Sequence, residues 1–230
     1  MVQGNMYLFG DSVARGIVLD AEGTYAPIED SFGALAAARF GVPLVNKARF
    51  GCTIAKGLDV VRRFISGGEK AEVGGTAFLE FGGNDCDFLW NEVAAKPGDQ
   101  HLPTTPLDAF SRMYSELIDA LRSSGLSPVP MTLPPLVAVR YFDWITRNGL
   151  DRGSILSWLG DVQRIFRWHE EYDQMVRRVA AFKGCPLLDI RKVFLEKEDY
   201  GEFMCMDGIH PNRKGHLLME SAFGEHAAGA

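Results

Sequence analysis

Five short apolar runs are spread along the chain, at residues 5–9, 43–46, 76–81, 127–132 and 185–189. They are bounded by Gly, Pro, Asn or Asp, and that punctuation of continuous apolar stretches is the pattern of strands buried on both faces. Helical periodicity fills the intervals. Residues 53–65 place Ile54, Leu58, Val61 and Ile65 on one face, and residues 106–121 carry Phe110, Tyr114, Leu117 and Leu121 at helical spacing. The second of these opens on Thr105-Pro106, which suits an N-cap followed by a first helical position. Ile165, Tyr172, Met175, Val176 and Val179 mark another amphipathic helix, ended by Gly184, and residues 212–223 read as a closing helix. Strands alternating with helices predict one α/β domain built on a mainly parallel sheet.

The 230 residues are 47% hydrophobic and 23% charged, enough apolar material for one sizeable core without disulfide or metal staples. We read a single domain over residues 1–230, with loop or lid insertions near 86–105 and 133–160. The second insertion carries Tyr141, Phe142, Trp144 and Trp158. The net charge of −6 is made of intermixed acidic and basic residues with no basic block, which argues against a nucleic-acid partner. No apolar run reaches the roughly 18–20 residues that span a bilayer. Cys52, Cys86, Cys185 and Cys205 are widely spaced, form no C-x-x-C pair and are expected to be free thiols. With no basic segment leading into a long apolar stretch at the start, a cytoplasmic location is the expectation.

In an open parallel sheet, ligands bind outside the carboxyl ends of the strands. The residues that reach this rim are Ser12, Gly51, Asn84 and the segment Asp207-Gly208-Ile209-His210. A serine hydroxyl needs an adjacent base to become a nucleophile, and an imidazole supplies one. A carboxylate on the other ring nitrogen fixes the tautomer and stabilises the imidazolium. Asp207 and His210 stand three residues apart, so one turn can present both toward Ser12. The negative oxygen of a tetrahedral intermediate needs preorganised donors, here the backbone N–H groups of Ser12 and Gly51 and the side-chain amide of Asn84.

Gly10-Asp11-Ser12, Gly51, Gly82-Gly83-Asn84-Asp85 and Asp207-Gly208-Ile209-His210-Pro211-Asn212 resemble, in order, the four signature blocks of the SGNH/GDSL hydrolases. The resemblance implies a flavodoxin-like three-layer α/β/α sandwich with a five-stranded parallel sheet. It implies Ser12 as nucleophile, His210 as base, Asp207 as its orienter, and Ser12, Gly51 and Asn84 as oxyanion donors. It also implies a small-molecule ester substrate, with short-chain esters, thioesters, lysophospholipids and acetylated sugars all within the family's range. Neither metal nor organic cofactor is implied.

Other readings of the same residues are blander. Ser12 alone is an ordinary helix cap, and Asn84 alone is a turn residue. Asp85 and Asp87 lack a nearby histidine or further carboxylate in a ligand pattern, so no metal is expected. His101, His169 and His226 read as surface or helix-face residues, and His216 as part of the final helix. No G-x-S-x-G elbow, dinucleotide fingerprint or phosphate loop is present. An acyltransferase would use the same serine. A non-catalytic ligand-binding module on a flavodoxin-like scaffold would leave the serine, the asparagine and the Asp-x-x-His turn without a purpose.

Overall fold

The computed structural model describes residues 4–67 and 73–229, with side chains as far as Gly224. The strands are β1 (Met6–Gly10), β2 (Ile17–Leu19), β3 (Tyr25–Pro27), β4 (Leu44–Asn46), β5 (Thr76–Glu80) and β6 (Ser127–Pro130). The first half of the chain adds helices α1 (Ser12–Arg15), α2 (Phe32–Phe40), α3 (Ile54–Ser66), α4 (Trp90–Ala95) and α5 (Leu107–Ser123). The second half adds α6 (Ala138–Thr146), α7 (Arg152–Leu159), α8 (Arg164–Phe182), α9 (Ile190–Leu195) and α10 (Arg213–Gly229).

Strands β4, β1, β5 and β6 form, in that spatial order, a wholly parallel sheet. Strand β1 is apolar at every position and buried on both faces, and the period of two sorts its side chains. Tyr7 and Phe9 join a core with α3, α5 and α8, while Met6 and Leu8 join a second core with α2, α9 and α10. Each buried Phe or Leu contributes about 1.5–3 kcal/mol relative to exposure, and polar ties such as Tyr114 Oη donating to Leu79 O at 2.9 Å add to the apolar burial that holds the layers to the sheet. A third apolar cluster joins α4, α6, α7 and the start of α8 above the sheet. Strands β2 and β3 form a separate antiparallel hairpin.

Among the described residues the sheet has four strands, not five. The run at 185–189 reaches the edge of β6 but makes only one bridge, Met131 to Leu188. Leu188 N–H donates to Pro130 O and Thr132 N–H to Leu188 O. Pro186 has no N–H to extend the ladder, and Asp189 at once caps α9 by accepting from Lys192 N–H. Two smaller expectations also shift. Pro106 occupies the N-cap of α5 rather than its first helical position. Phe64, not Ile65, completes the buried face of α3, and Ile65 is exposed.

Candidate active site

Strand β1 lies at the point where the chain reverses its order of strand addition, with β4 on one side and β5 on the other. The crevice at the carboxyl ends of β1 and β5 is therefore where a ligand site forms. Asp11 follows β1 and caps α1, its Oδ1 accepting from Val13 N–H at 2.8 Å. The cap is Asp11, so the Ser12 hydroxyl is not spent on the helix start. Ser12 Oγ lies 2.9 Å from His210 Nε2, and His210 Nδ1 lies 2.6 Å from Asp207 Oδ2. All three residues are buried. This line can carry a proton from serine to imidazole, with Nδ1–H donating to the carboxylate.

The Asp-x-x-His turn is held from three sides. Asp207 Oδ1 accepts the backbone N–H groups of Ile209 at 3.1 Å and His210 at 3.2 Å. Tyr25 on β3 donates its hydroxyl to Asp207 Oδ2 at 2.9 Å. Burial alone would raise the Asp207 carboxyl, but the hydrogen bond and charge of His210 with these backbone donors carry it below the ordinary carboxylate range. Asp207 therefore stays ionised. Gly208 has φ +75°, and its carbonyl accepts from Val137 N–H at 2.8 Å at the start of α6. Arg140 on α6 also donates to Gly201 O at 2.7 Å.

Asn84 follows β5. Its Nδ2 donates to Asp11 Oδ2 at 2.8 Å and makes a long 3.5 Å contact with Cys52 O. One amide hydrogen is thereby fixed and the second is weakly held. Gly51 lies in the turn before α3 with φ +65°, a conformation that glycine adopts without strain. From this turn it is the exposed Phe50 ring that reaches the cavity described below. Ser12, His210, Asp207 and Asn84 are thus brought together, and Gly51 stands at the margin.

A cavity of about 210 Å³ opens at Ser12 and runs beneath the third apolar cluster. Its far wall is mainly apolar, with Phe88, Trp90, Leu136, Ile165 and Trp168. The insertions thus form a packed wall: Trp158 meets Phe88 edge-on and Trp168 at a tilt, while Trp144 contacts Tyr25 near the mouth.

Three participants escape sequence reading. Tyr25 is 182 positions from Asp207 and is delivered by the β2–β3 hairpin. Glu80, at the end of an otherwise apolar strand, is 1% exposed beside Asp11; a carboxylate in a doubly buried run was its only signal. His169 is buried on the cavity wall rather than on the surface. Burial and the neighbouring Arg191 hold its pKa down at about 3, so it is neutral. His216 is also buried, with Phe32 N–H facing its Nδ1 at 3.4 Å. His101 contacts Lys96 O, and the His226 side chain lies outside the described residues.

A wholly parallel sheet with a buried serine after its first strand, faced by a His–Asp pair from the turn before the last helix, is the arrangement expected of an SGNH-type hydrolase. The chain belongs to the GDSL-like lipase/acylhydrolase family, whose model matches residues 8–218. Solved structures share the fold at low identity. A lipase/acylhydrolase from Enterococcus faecalis aligns with TM-score 0.64 and 20% identity over 99% of this chain and 96% of that one. A carbohydrate acetylesterase from Sinorhizobium meliloti aligns with TM-score 0.66 and 14% identity over 99% and 100% of the two chains. A psychrotrophic esterase from Pseudoalteromonas gives 0.59 and 13% over 99% and 98%. No curated protein sequence matches the chain. No helix among the described residues is long and apolar enough to cross a membrane.

Proposed function

We propose that this acyl hydrolase is a serine esterase that works through an acyl-enzyme on Ser12. The observation that carries the reading is the line of contacts from Ser12 Oγ to His210 Nε2 at 2.9 Å and from His210 Nδ1 to Asp207 Oδ2 at 2.6 Å. Ser12 Oγ attacks the ester carbonyl as His210 Nε2 takes its proton. The developing oxyanion is met by the backbone N–H groups of Ser12 and Gly51 and the weakly held second N–H of Asn84. Collapse of the intermediate expels the alcohol, which receives the proton from His210. Water, deprotonated by His210, then attacks the acyl-enzyme and releases the acid and Ser12. No step calls for a metal or cofactor.

The apolar wall of Phe88, Trp90, Leu136, Ile165 and Trp168 supports a small apolar acyl group as the occupant of the cavity. The alcohol part then lies toward the mouth, near Tyr25 and Phe50. The test is turnover of a series of acyl esters of graded chain length beside acetylated saccharides, with Ser12→Ala as the blank. The expected result is a maximum at one short acyl length, loss of all turnover in Ser12→Ala, and fluorophosphonate labelling of the parent alone. Undiminished turnover in Ser12→Ala contradicts the reading.

A further inference from the structure

A second carboxyl lies beneath the floor of the site. Strand register pairs Gly10 with Glu80, and a Cβ on Gly10 would fall 2.5 Å from Glu80 O. This close approach brings the Glu80 side chain within hydrogen-bonding reach of Asp11. Both residues are out of contact with bulk water, at 1% and 2% exposure.

The two carboxyls are not equivalent. Asp11 has an N–H donor on each oxygen, Val13 on Oδ1 and Asn84 on Oδ2, both at 2.8 Å. Glu80 Oε2 is fully buried and has no donor among the described residues. Two touching carboxyls removed from water do not both ionise. The backbone N–H groups of Ala14 and Asp11 also reach the Glu80 carboxyl, so the difference lies in one atom. The charge settles on Asp11, both of whose oxygens have donors, and the proton on Glu80 Oε2, which has none. A protonated Glu80 then has an O–H to give, and Asp11 is the acceptor within reach. Burial first, and then the charge of Asp11, push the Glu80 carboxyl well above the ordinary carboxylate range.

We propose that Glu80 is a positioning residue held as a neutral acid, and that the Glu80–Asp11 pair fixes the Asn84 amide with one N–H turned toward the reacting carbonyl oxygen. The proposal rests on the reading of Asn84 as an oxyanion donor. Asn84 is tied to the floor by a single short hydrogen bond, to Asp11 Oδ2. The orientation of Asp11 therefore sets the orientation of the amide, and the acid below Asp11 keeps it from turning or taking up the proton itself.

The experiment measures kcat and KM on the best ester for Glu80→Gln, Glu80→Leu, Asn84→Ala and the double variant Glu80→Leu/Asn84→Ala. A glutamine amide can donate to Asp11 as the protonated acid does, so Glu80→Gln is expected to stay within about threefold of the parent kcat. Leucine cannot donate, and Glu80→Leu is expected to lose about 10–100-fold in kcat with KM changed by less than about threefold. Because the effect passes through Asn84, the same substitution in the Asn84→Ala background should cost less than about threefold further. A loss above about a hundredfold in Glu80→Gln, or an undiminished Glu80→Leu effect without Asn84, overturns the proposal. If Glu80→Leu gives no cooperative melt, the glutamine arm decides alone. Full activity in Asn84→Ala would instead remove the oxyanion reading and this proposal with it, while leaving the Ser12 chemistry to its own blank.

Discussion

The Tyr25 hydroxyl and the Asp207 carboxylate share one short contact, 2.9 Å to Oδ2, the oxygen that also faces His210 Nδ1. The tyrosine ring lies 5.0 Å from the imidazole, so one side chain both steadies the carboxylate and covers the ring of His210. Tyr25→Phe keeps the ring and removes only the donor. A hydrogen bond to a charged group is worth about 1.5–3 kcal/mol, part of which His210 recovers, and kcat/KM is expected to fall about 5–30-fold. Steady-state kinetics on a short-chain ester would check this; an unchanged kcat/KM would show that the phenol is idle.

The Asn84 amide makes one short hydrogen bond, to Asp11, and its other hydrogen is only weakly held by Cys52 O at 3.5 Å, so on the proposed reading it can turn to the substrate. Asn84→Ala is expected to lower kcat about 10²–10³-fold with little change in KM, the usual cost of losing one oxyanion donor. A thermal melt within a few degrees of the parent would separate this effect from unfolding.

Gly208 has φ +75°, and a Cβ there would lie 2.6 Å from Val137 O and 2.9 Å from Tyr141 N. These are backbone atoms at the start of α6 and cannot turn aside. Gly208→Ala is therefore expected to cost about 1–3 kcal/mol of stability and to displace Asp207 and His210 together. Urea unfolding would read the first effect and the rate of fluorophosphonate labelling the second. Loss of stability with an unchanged labelling rate would show that the turn recovers its geometry.

His216 is buried against Phe32, and burial holds its pKa down at about 4, from an ordinary value of 6.5. In the unfolded chain it takes a proton as the pH falls through 6.5, whereas in the folded chain it stays neutral until about 4. The unfolded state binds more protons across that window, so the stability His216 provides at neutral pH is lost on acidification, at about 1.4 kcal/mol per pH unit. Subtracting the stability of His216→Phe from that of the parent at each pH isolates this slope. A difference that stays flat from pH 7 to 4 would exclude it.

The parallel strands and the residues at their ends are legible because their cause is local. Doubly buried strands are continuous apolar runs, and Ser12 and Asn84 sit just after two of them, while Asp207 and His210 are read from the Asp-x-x-His turn before the last helix. What is not legible depends on partners far away in sequence. Tyr25 stands in a three-residue strand, and its partner Asp207 is 182 positions away. His169 looks like any polar residue of an amphipathic helix until Arg191 and the cavity close around it. The expected fifth strand does not form, for a local reason: Pro186 and the Asp189 cap leave the run at 185–189 room for one bridge.

The contacts of Val137 with Gly208 and of Arg140 with Gly201 tie the segment after β6 to the one that carries His210. Cavity wall and proton acceptor are thus one mechanical unit rather than an interchangeable lid on a fixed engine. Retooling this enzyme by grafting a foreign insertion between β6 and α8 would detune His210 along with the selectivity. Redesign that keeps the α6 backbone and varies only inward-facing side chains such as Leu136 and Ile165 leaves that coupling intact.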